Sequence, residues 1–116
     1  MKEVKHEIGR LAMQGDIAIL PIDEPKDIGE ELKINDEHFV AAHSESGHHH
    51  VMDKNNIKVF LTDSNFKTYV FVIKPTELTH VKNSVDKHET HLLQSGWYQF
   101  TRHRESYQSK VRLALD

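Results

Sequence analysis

Short strand-like apolar segments, separated by turn-forming residues, recur along this chain and constrain its fold most. Ile17–Ile22 follows the turn residues Gly15 and Asp16, and residues 68–73 are rich in β-branched and aromatic side chains and end near Pro75. The segments of this kind are residues 17–22, 38–43, 48–52, 57–61, 68–73, 76–81, 97–104 and 110–115. Seven or eight short strands at such spacing predict an all-β fold, either a small barrel or a sandwich.

A single domain is expected over residues 1–116, because the chain contains no internal repeat, linker or low-complexity tract. Residues 23–37 carry seven acidic residues against two lysines. This composition predicts a solvated connection with at most one short helix, near residues 27–33.

The overall composition excludes several classes of protein. The net charge is -3 with all ten histidines neutral, so there is no general attraction to nucleic acid or to an anionic membrane. Cysteine is absent, so any metal ligands must be nitrogen or oxygen atoms. The longest apolar stretch is too short to cross a bilayer, and the N-terminal residues lack the apolar segment of a secretory signal. We therefore expect a cytoplasmic protein with no membrane partner.

The run Ser46-Gly47-His48-His49-His50 is the strongest chemical signal. Residues 38–43 and 48–52 predict a hairpin around a polar connection in which Gly47 supplies the positive φ. Because side chains alternate along a strand, His48 and His50 would project from one face. Two imidazoles on one face are typical of a zinc site, so this pair is the best candidate for metal ligation.

A second histidine motif, His88-Glu89-Thr90-His91, lies far from the first in the sequence. If this segment is extended, His91 shares a face with Glu89; if it forms a helical turn, His88 and His91 lie together. Glu89 is the candidate general base, with Glu45 in reserve. We predict His48, His50, His88 and His91 as metal ligands, with the choice between His88 and His91 open. His43 and His80 are undecided.

The simpler interpretation is that these histidines lie in solvated connecting segments and bind metal only adventitiously. Other catalytic motifs are missing. Ser44 lacks the flanking glycines of a nucleophile elbow, and the spacing of His88 and His91 is one residue too short for the helical zinc motif. The chain also has no glycine-rich phosphate loop.

An aromatic and basic segment near the C-terminus is the second candidate feature. Tyr98 and Phe100 lead along one predicted strand face to Arg102 and Arg104. Guanidinium groups hold phosphate or carboxylate oxygens, so a phosphate-bearing small molecule fits this segment, and nucleic acid is a weaker expectation. The competing interpretation makes the aromatics part of the core and pairs Arg104 with an acidic residue.

The order of four motifs resembles a group of small, mostly unannotated proteins encoded in phage and prophage genomes. The motifs are Gln14-Gly15-Asp16 before the first apolar strand, Ser46-Gly47-His48-x-His50, His88-Glu89-x-His91, and Gly96-x-Tyr98 running to Arg104-Glu105-x-Tyr107. The resemblance implies one functional face that contains His48, His50, His88, Glu89, His91, Arg102 and Arg104. The His-x-His pair in a small β fold also resembles cupins, although Ala42 and Lys54 depart from the cupin pattern.

These observations predict a divalent-metal-dependent hydrolase of esters or phosphoesters, with Glu89 as base and with Arg102 and Arg104 stabilising negative charge. Zinc is the expected metal, and manganese, iron and nickel also suit imidazole and carboxylate ligands. The alternative is a non-catalytic module that contacts RNA or a protein through a structural histidine–metal clasp. A pH-responsive interface follows from the histidine content alone. An exposed edge strand would permit a homodimer.

Overall fold

The computed structural model describes residues 1–43, 48–64, 66–82 and 86–102 of the chain. Within these residues the backbone forms ten strands and one short 3₁₀ turn, Lys54–Asn56. The strands are β1 (Lys2–Val4), β2 (Ala12–Gln14), β3 (Ile17–Ile22), β4 (His38–His43), β5 (His48–Asp53), β6 (Ile57–Leu61), β7 (Lys67–Val72), β8 (Thr76–Lys82), β9 (Asp86–Leu93) and β10 (Gly96–Arg102).

The strands form two five-stranded sheets. Sheet A has the order β1-β9-β8-β5-β4, and sheet B has the order β2-β3-β10-β7-β6. Neighbouring strands are antiparallel except for β1, which runs parallel to β9. The all-β prediction is confirmed, and of its two architectures the structure adopts the sandwich.

The apolar core lies between the two sheets and follows the alternation of the strands. Along β3 the residues Ile17, Ile19 and Pro21 are buried, whereas the intervening residues are half-buried. Sheet A supplies Met52, Leu78 and Leu93 to the same core. Burial of such side chains stabilises the fold by about 1.5 to 3 kcal/mol each relative to exposure.

Strand β3 spans Ile17–Ile22, as predicted, and contains Pro21 within the strand. Its neighbour β2 pairs only as far as Ile19, so no ladder hydrogen bond from the Pro21 nitrogen is needed on that side. On the other side β10 pairs with the whole length of β3. The Pro21 nitrogen therefore needs no strand partner on the β2 side, where the Pro21 oxygen accepts a hydrogen bond from Gly9 N at 3.0 Å.

The acidic connection between β3 and β4 forms no helix among the described residues. Instead it runs along the edge of sheet B, where Leu32 N donates to Val59 O at 2.8 Å and Leu61 N donates to Glu30 O at 2.8 Å. These bonds cover the edge strand β6, which would otherwise offer unpaired backbone groups.

The described structure adds β1 and β2 to the strands expected from sequence; each has three residues and shows too little periodicity to be predicted. It also forms β9 from a segment for which the sequence leaves extended and helical conformations open. The predicted strand at residues 110–115 lies outside the described residues, as does the end of the strand predicted at 97–104. No helix in the described part of the chain has the length and apolar character needed to cross a membrane.

Candidate functional site: a histidine cluster between the sheets

Three adjacent strands of sheet A place a row of titratable residues side by side. The register pairs His50 of β5 with His80 of β8, and His80 in turn with Glu89 of β9. His91 lies two residues further along β9, opposite Leu78. His50 and His91 are 1% and 2% exposed, so both imidazoles lie inside the sandwich.

Gln14, at the end of β2 in sheet B, crosses the core to meet these histidines. Its Oε1 lies 2.9 Å from Nδ1 of His50, and its Nε2 lies 2.8 Å from Nδ1 of His91. The same Nε2 donates to the backbone oxygen of Leu78 at 2.8 Å and more weakly to that of Glu89 at 3.4 Å. The buried amide of Gln14 thus links sheet B to three strands of sheet A.

These contacts define the tautomers of both histidines. The Gln14 atom that faces two backbone oxygens must be the amide nitrogen, because a carbonyl oxygen cannot donate to them. His91 Nδ1 therefore accepts a hydrogen bond, and its ring proton is on Nε2. His50 Nδ1 must donate to the amide oxygen, so in neutral His50 the lone pair is on Nε2.

Asp16 faces that lone pair from the turn between β2 and β3. Its Oδ1 lies 3.3 Å from His50 Nε2, and the Asp16 side chain is 32% exposed while that of His50 is 2% exposed. A lone pair next to a carboxylate is unfavourable unless a proton or a cation lies between them. The pair is therefore either a salt bridge to a protonated imidazole or two ligands for one cation.

Gly15 allows this turn to approach the imidazoles closely. Its φ is +56°, and a Cβ at this position would lie 3.0 Å from Cε1 of both His50 and His80. A side chain here would meet both rings in a backbone conformation that L-residues rarely adopt.

His80 stacks on His50, with ring centroids 4.3 Å apart and ring planes 9° apart. A metal ion lies close to the plane of each imidazole that binds it. Two parallel stacked rings therefore cannot share one ion in this arrangement. His80 packs against the ligand candidate His50 instead of joining it as a ligand.

Glu89 and His91 share the inner face of β9, as expected for an extended segment. Burial alone would raise the pKa of Glu89, but the hydrogen bond and charge of Lys2, together with nearby imidazoles, lower the pKa below its ordinary value. Lys2 Nζ lies 3.1 Å from Glu89 Oε2. Burial lowers the pKa of His91 below its ordinary value, which favours the neutral imidazole.

Arg102 ends β10 beside Ile17 of β3, at the same end of sheet B as the Gly15–Asp16 turn. Its guanidinium carbon lies 5.8 Å from the centroid of the Phe66 ring, and its backbone nitrogen donates to Phe66 O. The backbone of this predicted arginine thus lies near the turn, whereas its guanidinium group contacts Phe66, which precedes β7 on the other side of β10. Arg104 lies outside the described residues.

The structure brings together His50, His91 and Glu89 of the predicted site, and links both histidines through Gln14. The side chains of His48 and His88 lie outside those that the structure describes. Among the described residues, no three histidine or acidic side chains are arranged around one metal position. From the sequence, no chemical role is assigned to Gln14 and Asp16.

Residues 13–103 match a family described as "Domain of unknown function (DUF8820)". The chain belongs to this family. No curated protein and no solved structure matches the chain. The DUF8820 match extends from β2 to the end of β10 and so includes Gln14, Asp16, His50 and His91, but the family description gives them no function.

Proposed function

We propose that this protein binds a divalent metal ion through His50 and Asp16 and uses it to hydrolyse an ester or phosphoester. One observation carries the proposal. Gln14 Oε1 accepts a hydrogen bond from His50 Nδ1, so in neutral His50 the lone pair is on Nε2, the atom that faces Asp16 Oδ1. Histidines that bind metals commonly donate their other ring N–H to an oxygen acceptor, which fixes the tautomer and the ring orientation.

The distance between the two candidate ligand atoms fits a shared ion. Two ligands of a tetrahedral zinc ion, each about 2.1 Å from the metal, are about 3.4 Å apart. The observed separation of 3.3 Å between His50 Nε2 and Asp16 Oδ1 is close to that value. Manganese, iron and nickel accept the same ligand types, so zinc is the first metal to test.

A catalytic zinc site has three protein ligands and an open position. The sequence-based prediction supplies His48 as the third ligand through the His-x-His pattern. His91 is less suitable because its Nδ1 accepts the Gln14 amide proton and its Nε2 carries the ring proton. The role of His88 as a metal ligand remains a prediction from the sequence. We therefore propose His50 and Asp16 as the central pair, with His48 completing the site.

The bound metal would lower the pKa of a water molecule and polarise the substrate. Arg102, whose backbone lies at the end of sheet B that holds the Gly15–Asp16 turn, would stabilise negative charge as the reaction proceeds, and Arg104 would assist it. Glu89 is less well placed as the general base, because it stands two strands from His50, about 10 Å away by strand spacing, and pairs with Lys2.

Elemental analysis of protein purified without a histidine tag tests this proposal. Wild-type protein should contain near-stoichiometric metal, whereas His50→Gln and Asp16→Asn should lose it. His38→Gln, which changes an exposed histidine, is the matched control and should keep its metal. Metal-loaded wild type should then hydrolyse p-nitrophenyl esters or phosphoesters, and Asp16→Asn should not. Metal-free wild type without micromolar zinc affinity would refute the proposal.

A non-catalytic module is the second candidate, and it is favoured by the hydrogen bonding of Gln14. The amide joins both sheets without requiring a metal, so the cluster can serve as a structural clasp that differs from the histidine–metal clasp predicted from the sequence in needing no ion. On this hypothesis chelator leaves the melting temperature unchanged, no substrate is turned over, and an RNA or protein partner binds elsewhere. The phage origin, the cytoplasmic location and a homodimer formed through an edge strand are further parts of our proposal.

A further inference from the structure

A pocket of ≈ 340 Å³ lies where edge strand β1 of sheet A meets edge strand β2 of sheet B. The segment at residues 5–11 connects these strands and forms the rest of the wall. His91 lines the pocket but not its exposed rim, since only 2% of its surface is accessible. The volume is at the lower end of the range for small-molecule sites.

Apolar side chains form much of the wall. Val4 and Ala12 belong to the strands, while Leu11 and Met13 are 56% and 38% exposed despite their size. Large apolar groups that stay exposed around a concave site favour occupation by an apolar ligand surface.

His91 offers one polar group to such a ligand. Its Nδ1 is occupied by the Gln14 amide, so Nε2 carries the proton and can only donate. No described residue accepts a hydrogen bond from this Nε2. Glu89 lies two residues away on the same strand face and pairs with Lys2, so their charges offset each other and give an ionised ligand group little advantage at the inner end of the pocket. A neutral carbonyl oxygen is therefore the better acceptor there.

The charged residues around the mouth are largely paired with each other. Lys2 binds Glu89 at 3.1 Å, and Arg10 binds Glu7 at 3.0 Å. Among the described residues, Lys5 is the lining cation that has no ion pair. A negatively charged group of a ligand would therefore be attracted most strongly to Lys5.

We propose that this pocket binds a small molecule with a neutral carbonyl group, an apolar body and one carboxylate, as in an N-acylated amino acid. The carbonyl oxygen accepts the His91 Nε2 proton, the apolar body contacts Leu11 and Met13, and the carboxylate lies near Lys5. This site is separate from the His50–Asp16 pair and does not depend on a bound metal.

N-acetyl-leucine is the probe, and N-acetyl-leucinamide is its uncharged counterpart. In NMR titrations the acid should shift the His91 Nε2 and the Leu11 and Met13 methyl signals saturably, and calorimetry should show tighter binding of the acid than of the amide. Lys5→Gln should weaken binding of the acid about fivefold and leave the amide unaffected. Lys58 is an exposed lysine on β6, so Lys58→Gln should change the binding of neither the acid nor the amide.

His91→Gln gives a second test once its melting curve shows that it is folded. It should weaken the acid and the amide equally, because both carry the carbonyl group. The proposal is overturned if millimolar N-acetyl-leucine causes no saturable shift at these residues. It is also overturned if the amide binds as tightly as the acid, or if Lys58→Gln weakens the acid as much as Lys5→Gln.

Discussion

Gln14 Oε1 accepts a hydrogen bond from His50 Nδ1 at 2.9 Å, and this contact determines which nitrogen of His50 faces Asp16. The other end of the same amide holds His91 in the opposite tautomer. One uncharged side chain thus differentiates two buried imidazoles. His50 directs Nε2 towards Asp16 in the turn, whereas His91 presents a proton to the β1–β2 pocket.

Gln14→Leu should destabilise the protein by about 3 kcal/mol, because it leaves buried polar groups of His50, His91 and Leu78 without partners. Urea unfolding measures this loss. Gln99→Leu is the matched control. Among the described residues, the half-buried Gln99 side chain bonds only the Thr101 side chain, so the substitution should cost less than about 1 kcal/mol. Equal costs for the two variants would contradict the clasp.

The tautomers themselves can be observed through imidazole ¹⁵N chemical shifts. In wild type, His50 should carry its proton on Nδ1 or on both nitrogens, and His91 should carry it on Nε2. Gln14→Glu offers His91 Nδ1 an oxygen in place of an amide donor, so the His91 proton should move to Nδ1. An unchanged His91 spectrum in a folded Gln14→Glu variant would argue against control by Gln14.

Gly15→Ala should destabilise the protein more than Gly9→Ala. Both glycines have positive φ, +56° and +82°, so both variants incur the backbone cost of about 1 to 2 kcal/mol. Only at Gly15 does the added Cβ approach two imidazoles at 3.0 Å, whereas at Gly9 it meets nothing within 4 Å. The difference between the losses of unfolding free energy in the two variants measures the cost of the contact with His50 and His80. A zero difference would mean that the turn relaxes without cost.

Stability should fall as the pH is lowered, in two ranges. The folded-state pKa of His91 is lowered from 6.5, so its contribution is complete above pH 6.5 and is lost as the pH falls towards the lowered pKa. The pKa of Glu89 is lowered from 4.5, so its contribution is lost below pH 4.5. Unfolding measured from pH 7 to 3 checks both ranges.

Substitutions can show which residue causes the loss of stability in each pH range. His91→Gln should reduce the slope of stability against pH just below pH 6.5, and His38→Gln should leave it as in wild type. Lys2→Gln should reduce the slope below pH 4.5, because Lys2 stabilises the Glu89 carboxylate. A His91→Gln protein with the wild-type slope would show that other groups cause the acid sensitivity.

Zinc should raise the melting temperature of the wild-type protein, since an ion that binds only the folded state stabilises it by mass action. A concentration one hundred times the dissociation constant contributes about 2.7 kcal/mol. Asp16→Asn should abolish the increase, whereas Asp23→Asn, an exposed acidic residue beyond β3, should retain it. A response to zinc that is equal in both variants would place the ion elsewhere.

The sequence by itself determines the class of fold and the general nature of the site. Apolar alternation in segments such as Ile17–Ile22 requires strands, because only a period of two buries one face of them. The same alternation predicts that Glu89 and His91 share a face once the segment is extended. The histidine motifs identify residues worth testing, because imidazole can bind a metal ion and can act as an acid or a base near neutral pH.

Tertiary structure alone decides which of these groups meet and in which protonation state. Gln14 and His50 are 36 residues apart, and no local periodicity reveals that a glutamine in one sheet bonds to histidines in the other. The register of β8 and β9 shifts between His80 and Val81, an irregularity that the alternation of residues along a single strand does not reveal. Periodicity reports the environment of one strand at a time, whereas the chemistry here depends on atoms that two packed sheets bring together.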